Sequence, residues 1–166
     1  MDAKDILIDA YGRLPELVAD AVRDLTPEQL LWAPKPGANT IGWLVWHLAR
    51  VQDAQIAGIT GGEQVYLTGD WAGRFGRKPD PADHGYGHSP ADVAAVVPES
   101  REALIEYYHA VHAKTLEYLA GITEDELDRV VDRNWDPPVT AGVRLVSIYD
   151  DDAQHAAQAA YLRGLL

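Results

Sequence analysis

The sequence predicts an all-α protein, a four-helix bundle with a long loop between its second and third long helices. Three observations predict it. Four stretches repeat apolar residues at steps of three and four, the spacing of one buried helix face. Ala is the commonest residue, 24 of 166, and is the best helix former, whereas Val, Ile and Thr are too few for many strands. The connections between the four stretches are long, as in bundles with crossover connections. The length is about one domain's worth of chain, so residues 1–166 are expected to form a single domain.

The first helix spans about Ala3 to Asp24, with Leu7, Ala10, Leu14, Val18 and Ala21 on its apolar side and Pro15 placed to kink its middle. Thr26-Pro27-Glu28-Gln29 reads as a brief helix start with Thr26 as cap, ended by Pro34 and Pro36-Gly37. The second long helix begins at Asn39 or Thr40 and runs to about Gly58, buried through Ile41, Leu44, Val45, Leu48, Val51 and Ala54. Residues 61–90 hold seven of the fourteen Gly and three of the ten Pro, with Tyr66, Trp71, Phe75 and Tyr86 between them. A loop of that length in a compact domain suits a lid or binding loop, and four aromatics argue against a solvated connector. Helix starts follow at Ser89-Pro90 and at Pro98-Glu99-Ser100, the third long helix ending near Ala120. Thr123-Glu124-Asp125-Glu126 reads as a capping box, Asn134 to Pro138 as a loop, and Thr140 as the cap of a last helix over about Ala141 to Leu165.

Composition excludes several functions. There is no cysteine, hence no disulfide, no Cys-ligated zinc, no iron–sulfur cluster and no cysteine nucleophile. Fourteen Lys and Arg against 26 Asp and Glu give a net charge of −12, which repels phosphate backbones and argues against nucleic-acid binding. No stretch approaches the ~20 apolar residues of a membrane span, and MDAKDILIDAYGRL has no signal-peptide apolar block. A cytoplasmic protein is expected.

Six histidines are candidates for chemistry. His109 and His112, beside Tyr107, Tyr108 and Lys114, read as a surface or half-buried pair. His84 and His88 lie four apart, but in Gly-rich sequence where that spacing guarantees no common face. His47 and His155 sit mid-helix in apolar surroundings, where a buried imidazole needs hydrogen-bond partners or a metal. The last helix also carries Asp150-Asp151-Asp152, either a solvated acidic face or a functional group. At 100° per residue, Asp151 falls about 40° from His155, Asp152 about 60° away on the other side and Asp150 about 140° off. Asp151 and His155 therefore form an i, i+4 pair able to reach one ion, with Asp152 in reserve. His47 from the second helix completes a two-histidine, one-carboxylate set, and bundle cores are a recurrent place for such sites.

The stretch Asn39-Thr40-Ile41-Gly42-Trp43-Leu44-Val45-Trp46-His47-Leu48, followed by Asp151-x3-His155-x2-Gln158 and Tyr161-Leu162-Arg163, resembles the DinB/YfiT-like superfamily, in particular its mycothiol-dependent and DinB-family metalloenzymes. The resemblance covers essentially the whole chain, including the four-helix plan. It implies a divalent metal held by three histidines, one from the second helix and two spaced four apart on the last. His47 matches the first position and His155 the third. Asp151 stands at the second, a departure from the pattern. A carboxylate also ligates zinc, nickel, manganese or iron, but it lowers the site's charge by one and makes the ion a poorer Lewis acid.

The chemistry the resemblance implies is transfer of a low-molecular-weight thiol to a small electrophilic substrate, with a metal-bound thiolate as nucleophile. With no cysteine of its own, the chain would depend on a thiol cosubstrate from outside. The 61–90 loop is expected to close over the site, and Trp43 and Trp46 to line its pocket. A homodimer is plausible by the same resemblance. Two other readings stand beside this one: a hydrolase using metal-bound water, and a metal-free bundle that binds a ligand or partner.

Overall fold

A computed structural model describes residues 1–166. The elements in chain order are α1 (Ala3–Ala21), α2 (Pro27–Leu30), α3 (Ile41–Thr60), α4 (Trp71–Arg74), α5 (Pro90–Ala94), α6 (Arg101–Ala120), α7 (Glu124–Asp128), β1 (Val130–Asp132), β2 (Val139–Thr140) and α8 (Ala141–Arg163), with one 3₁₀ turn at Val65–Leu67. The protein is mostly helical, as its periodicity predicts. No helix is long and apolar enough to cross a membrane.

Short polar side chains set the helix starts. Asp2 and Asp5 form a reciprocal capping box at α1, and Thr40 Oγ1 accepts from the Trp43 N–H at 3.0 Å to open α3. Ser89, Ser100, Thr123 and Thr140 cap α5, α6, α7 and α8 in the same way. α1 runs uninterrupted through Pro15 and stops at Ala21, because the chain turns through Asp24 at φ 61°. Thr123 makes only half of the expected capping box. The Glu126 carboxylate instead accepts from Tyr118 Oη and Arg129.

The four long helices are neighbours in the cyclic order α1, α8, α3, α6. α1 thus lies diagonally across from α3, and α6 from α8. Polar ties cross the apolar core between neighbours. Tyr11 Oη donates to the Leu145 carbonyl at 2.8 Å, and Gln52 Nε2 donates to Thr115 Oγ1 at 2.6 Å. The β1–β2 hairpin was not expected from the sequence, which reads Asn134 to Pro138 as a loop between helices. The two strands are three and two residues long, too short for period-two patterning to register.

The 61–90 segment is ordered by the core rather than left to solvent. Tyr66, Trp71 and Phe75 pack round the ring of Tyr107 on α6, with centroids 5.7, 5.3 and 5.5 Å away. Tyr86 is the exception, 88% exposed. A buried charge cluster on α3 fastens the same segment. Asp53 accepts from the backbone N–H groups of Val65 and Tyr66, both at 2.8 Å, and from Tyr107 Oη at 2.7 Å. Arg50, fully buried, donates to Asp53, to Gln64 Oε1 and to the Asp83 carbonyl, with its guanidinium 3.9 Å from the Tyr66 ring centroid.

Candidate metal centre

His47 and the Asp151–His155 pair come from adjacent helices, α3 and α8. They meet. One ligand atom from each of His47, Asp151 and His155 lies within 4.8 Å of the others, close enough to share one cation. The imidazole centroids are 4.7 Å apart and nearly perpendicular.

Both rings are held by their Nδ1 atoms. His47 Nδ1 donates to the His84 carbonyl at 2.5 Å, and His155 Nδ1 donates to the Asp151 carbonyl one helical turn back at 2.8 Å. That assignment leaves the lone pair on each Nε2, the arrangement found where a ligating histidine is oriented by a backbone carbonyl. Asp151 Oδ2 is buried, makes no hydrogen bond, and lies 3.4 Å from His155 Nδ1. A buried carboxylate oxygen without a hydrogen bond, within 4.8 Å of one ligand atom of each imidazole, is a donor set a divalent cation could use. Burial pushes the pKa of His47 down to about 4, so its imidazole is neutral near pH 7. Burial acts in the same direction on His155, but the nearby Asp151 carboxylate and the Asp151 carbonyl outweigh it and raise its pKa above the usual histidine value.

The other acidic candidates separate as their angles predict. Asp150 is exposed and accepts from Gln154 Nε2 at 2.8 Å. Asp152, the reserve carboxylate, points into the core with no hydrogen bond to either oxygen. Burial raises its pKa well above the carboxylate range, and the neighbouring Asp151 charge adds to that.

The remaining histidines do not gather round a cation. His88 bridges the loop to α3, accepting at Nδ1 from Trp43 Nε1 at 3.1 Å and pairing at Nε2 with Asp83 at 3.0 Å. His84 contributes its carbonyl to His47 rather than its ring. His109 is exposed, while His112 is more buried than expected and stacks on Tyr108 with centroids 5.7 Å apart.

Trp43 and Trp46 do not line the cavity beside the site. Trp43 stacks flat against His47, with centroids 4.5 Å apart at 11°, and Trp46 is fully buried against His88. The cavity beside the site, about 350 Å³, is lined instead by Val51, Gln55, Tyr86, Arg144 and Ser147 together with His47 and Asp151. Sequence reasoning passed over Arg50, Asp53 and Arg144. A signal existed for the first two, an i, i+3 charge pair within an otherwise apolar helix.

The loop reaches His47 only because residue 85 is glycine. Its φ is +95°, and a Cβ there would overlap His47 Nδ1 and come within 3.0 Å of the Trp43 ring. Gly85→Ala is expected to displace the His84 carbonyl from His47 and weaken zinc binding about tenfold to a hundredfold, the usual cost of losing an outer partner of a ligating histidine. Calorimetric zinc titration checks this, and unchanged affinity would show that the carbonyl contact is dispensable.

The DinB superfamily matches residues 10–159. The chain belongs to the DinB superfamily. The crystal structure of a conserved protein from Enterococcus faecalis is similar to this DinB-superfamily chain throughout, with TM-score 0.89 and 34% identity over 98% of this chain and 96% of that one. No curated protein is significantly similar in sequence. Family membership and the three converging side chains together support a metal site of two histidines and one aspartate in a DinB-type bundle.

Proposed function

We propose that this DinB-superfamily chain is a metal-dependent transferase that joins a low-molecular-weight thiol of the mycothiol type to a small electrophilic substrate. His47, Asp151 and His155 hold the divalent ion, which is zinc, nickel, manganese or iron. The observation that carries the reading is the convergence of two oriented imidazoles on a buried carboxylate oxygen without a partner. When bound in such a site, a divalent ion lowers the pKa of a coordinated thiol well below its free value of about 8.5 and so supplies the nucleophile.

The chain's own residues do the rest. The His84 carbonyl and the Trp43 ring fix His47 from two sides, and the Asp151 carbonyl fixes His155. The 83–88 segment, anchored through Arg50 and His88, holds the His84 carbonyl against His47. With no cysteine in the sequence, the sulfur comes from the cosubstrate. The same reading includes a cytoplasmic homodimer.

The test is elemental analysis of tag-free wild-type protein and of His47→Ala, followed by a panel of thiols with a chromogenic electrophile. One metal per wild-type chain, none in the variant, and thiol-dependent conjugation are expected. No metal after reconstitution with zinc, nickel and manganese would leave a ligand-binding bundle. Turnover without thiol would convert the assignment to hydrolysis.

A further inference from the structure

The cavity beside His47 and Asp151 continues outward as a groove between α3 and α8. On α8 its floor is Asp151, Ile148, Ser147 and Arg144 at successive helical steps, seven residues or ~10 Å of rise. Arg144 closes the end away from the histidines. Its guanidinium is 19% exposed and makes one hydrogen bond, from Nη2 to Asp132 Oδ2 at 2.8 Å. Nε and Nη1 remain free to donate.

A cation placed inside a cavity of a chain with net charge −12 is a selective feature. One guanidinium nitrogen is already paired with the Asp132 carboxylate, and Nε and Nη1 make no hydrogen bond. The free donors therefore suit a singly charged carboxylate, whereas a phosphate dianion would meet Asp132 and Asp151 with one cation between them. Between the two ends, half-buried Val51 offers an apolar wall, Ile148 is almost wholly buried, and the exposed Tyr86 borders the groove.

We infer that the α3–α8 groove binds a small organic monocarboxylate, its carboxylate on Arg144 and its apolar body between Val51 and Tyr86. The opposite end of the molecule is then directed at His47 and Asp151. Only that last orientation rests on the proposed transferase reading; the carboxylate site itself does not require a metal.

The test measures binding by calorimetry at mildly alkaline pH, with metal-free and zinc-loaded protein. The probes are 3-phenylpropanoate, its neutral amide, and 2-phenylethyl phosphate. The carboxylate is expected to bind the wild type best. Arg144→Gln should weaken it about tenfold or more, to the level of the amide, without changing amide binding or zinc content. Asp132→Asn should strengthen carboxylate binding, because it frees the guanidinium. A merely structural ion pair would give the opposite result, with every probe weakened in both variants. Absent carboxylate binding, equal binding of carboxylate and amide, or a preference for the phosphate overturns the inference. Zinc uptake with no carboxylate preference removes the groove assignment alone. Arg144-dependent carboxylate binding in a protein that takes up no metal removes the transferase reading and upholds the groove.

Discussion

Asp53→Ala is expected to destabilise the protein by about 3–5 kcal/mol, the range for breaking a buried ion pair from one side. Asp53 is 3% exposed and accepts from two backbone N–H groups, one phenol and one guanidinium. Its removal leaves the Arg50 charge fully buried and unpaired, and frees the Val65–Leu67 turn from α3. Native stability is only about 5–15 kcal/mol, so the loss is a large fraction of the whole. Urea unfolding of wild type and variant measures it. Arg50→Met together with Asp53→Leu should cost less than Asp53→Ala alone, since no charge is then stranded. A loss below about 1 kcal/mol for Asp53→Ala would mean the cluster is hydrated and carries little of the loop's order.

Zinc at a hundred to a thousand times its dissociation constant is expected to stabilise the wild type by about 3–4 kcal/mol, from mass action on the folded state alone. For a chain of this length that corresponds to a thermal midpoint raised by roughly 10 °C. His47→Ala should lose the increment entirely. The pH dependence has a definite sign. A metal ligand must be a neutral imidazole, and of the two proposed histidine ligands His155 is the one whose folded pKa is raised. Without metal, protonated His155 stabilises the fold below its unfolded pKa of about 6.5, and that contribution disappears as pH rises through the higher folded value. Zinc works the opposite way. Its increment is full above the folded pKa of His155 and fades as acid protonates the ring. Thermal scans with and without zinc across this range should therefore converge toward low pH. Parallel curves would show that His155 is not a ligand.

The helices were legible because their causes are local. Thr40, Ser100 and Thr140 announce the starts of α3, α6 and α8, and the three-and-four spacing of Leu14, Val18 and Ala21 describes a face whatever it packs against. The Asp151–His155 pair was legible for the same reason, since i, i+4 geometry belongs to one helix. Its meeting with His47 needed the family pattern as well, because no local rule relates residues a hundred positions apart. Arg50 and Asp53 were legible only as an i, i+3 pair, and Arg144 not at all. Their roles depend on Tyr107, Gln64 and Asp132, which reach them only through tertiary packing. The same holds for Gly85, one loop glycine among several until His47 lies beneath it.

The separation of α3 from α8 along the chain bears on biosynthesis. The ribosome releases the His47 segment long before it has made Asp151 and His155, so a nascent chain presents a solitary imidazole with negligible hold on any ion. A cation held jointly by the three proposed ligands could be captured only after α8 has been translated and has docked against α3. The proposed site is therefore a property of the finished fold, and no shorter piece of the chain ending before α8 carries it.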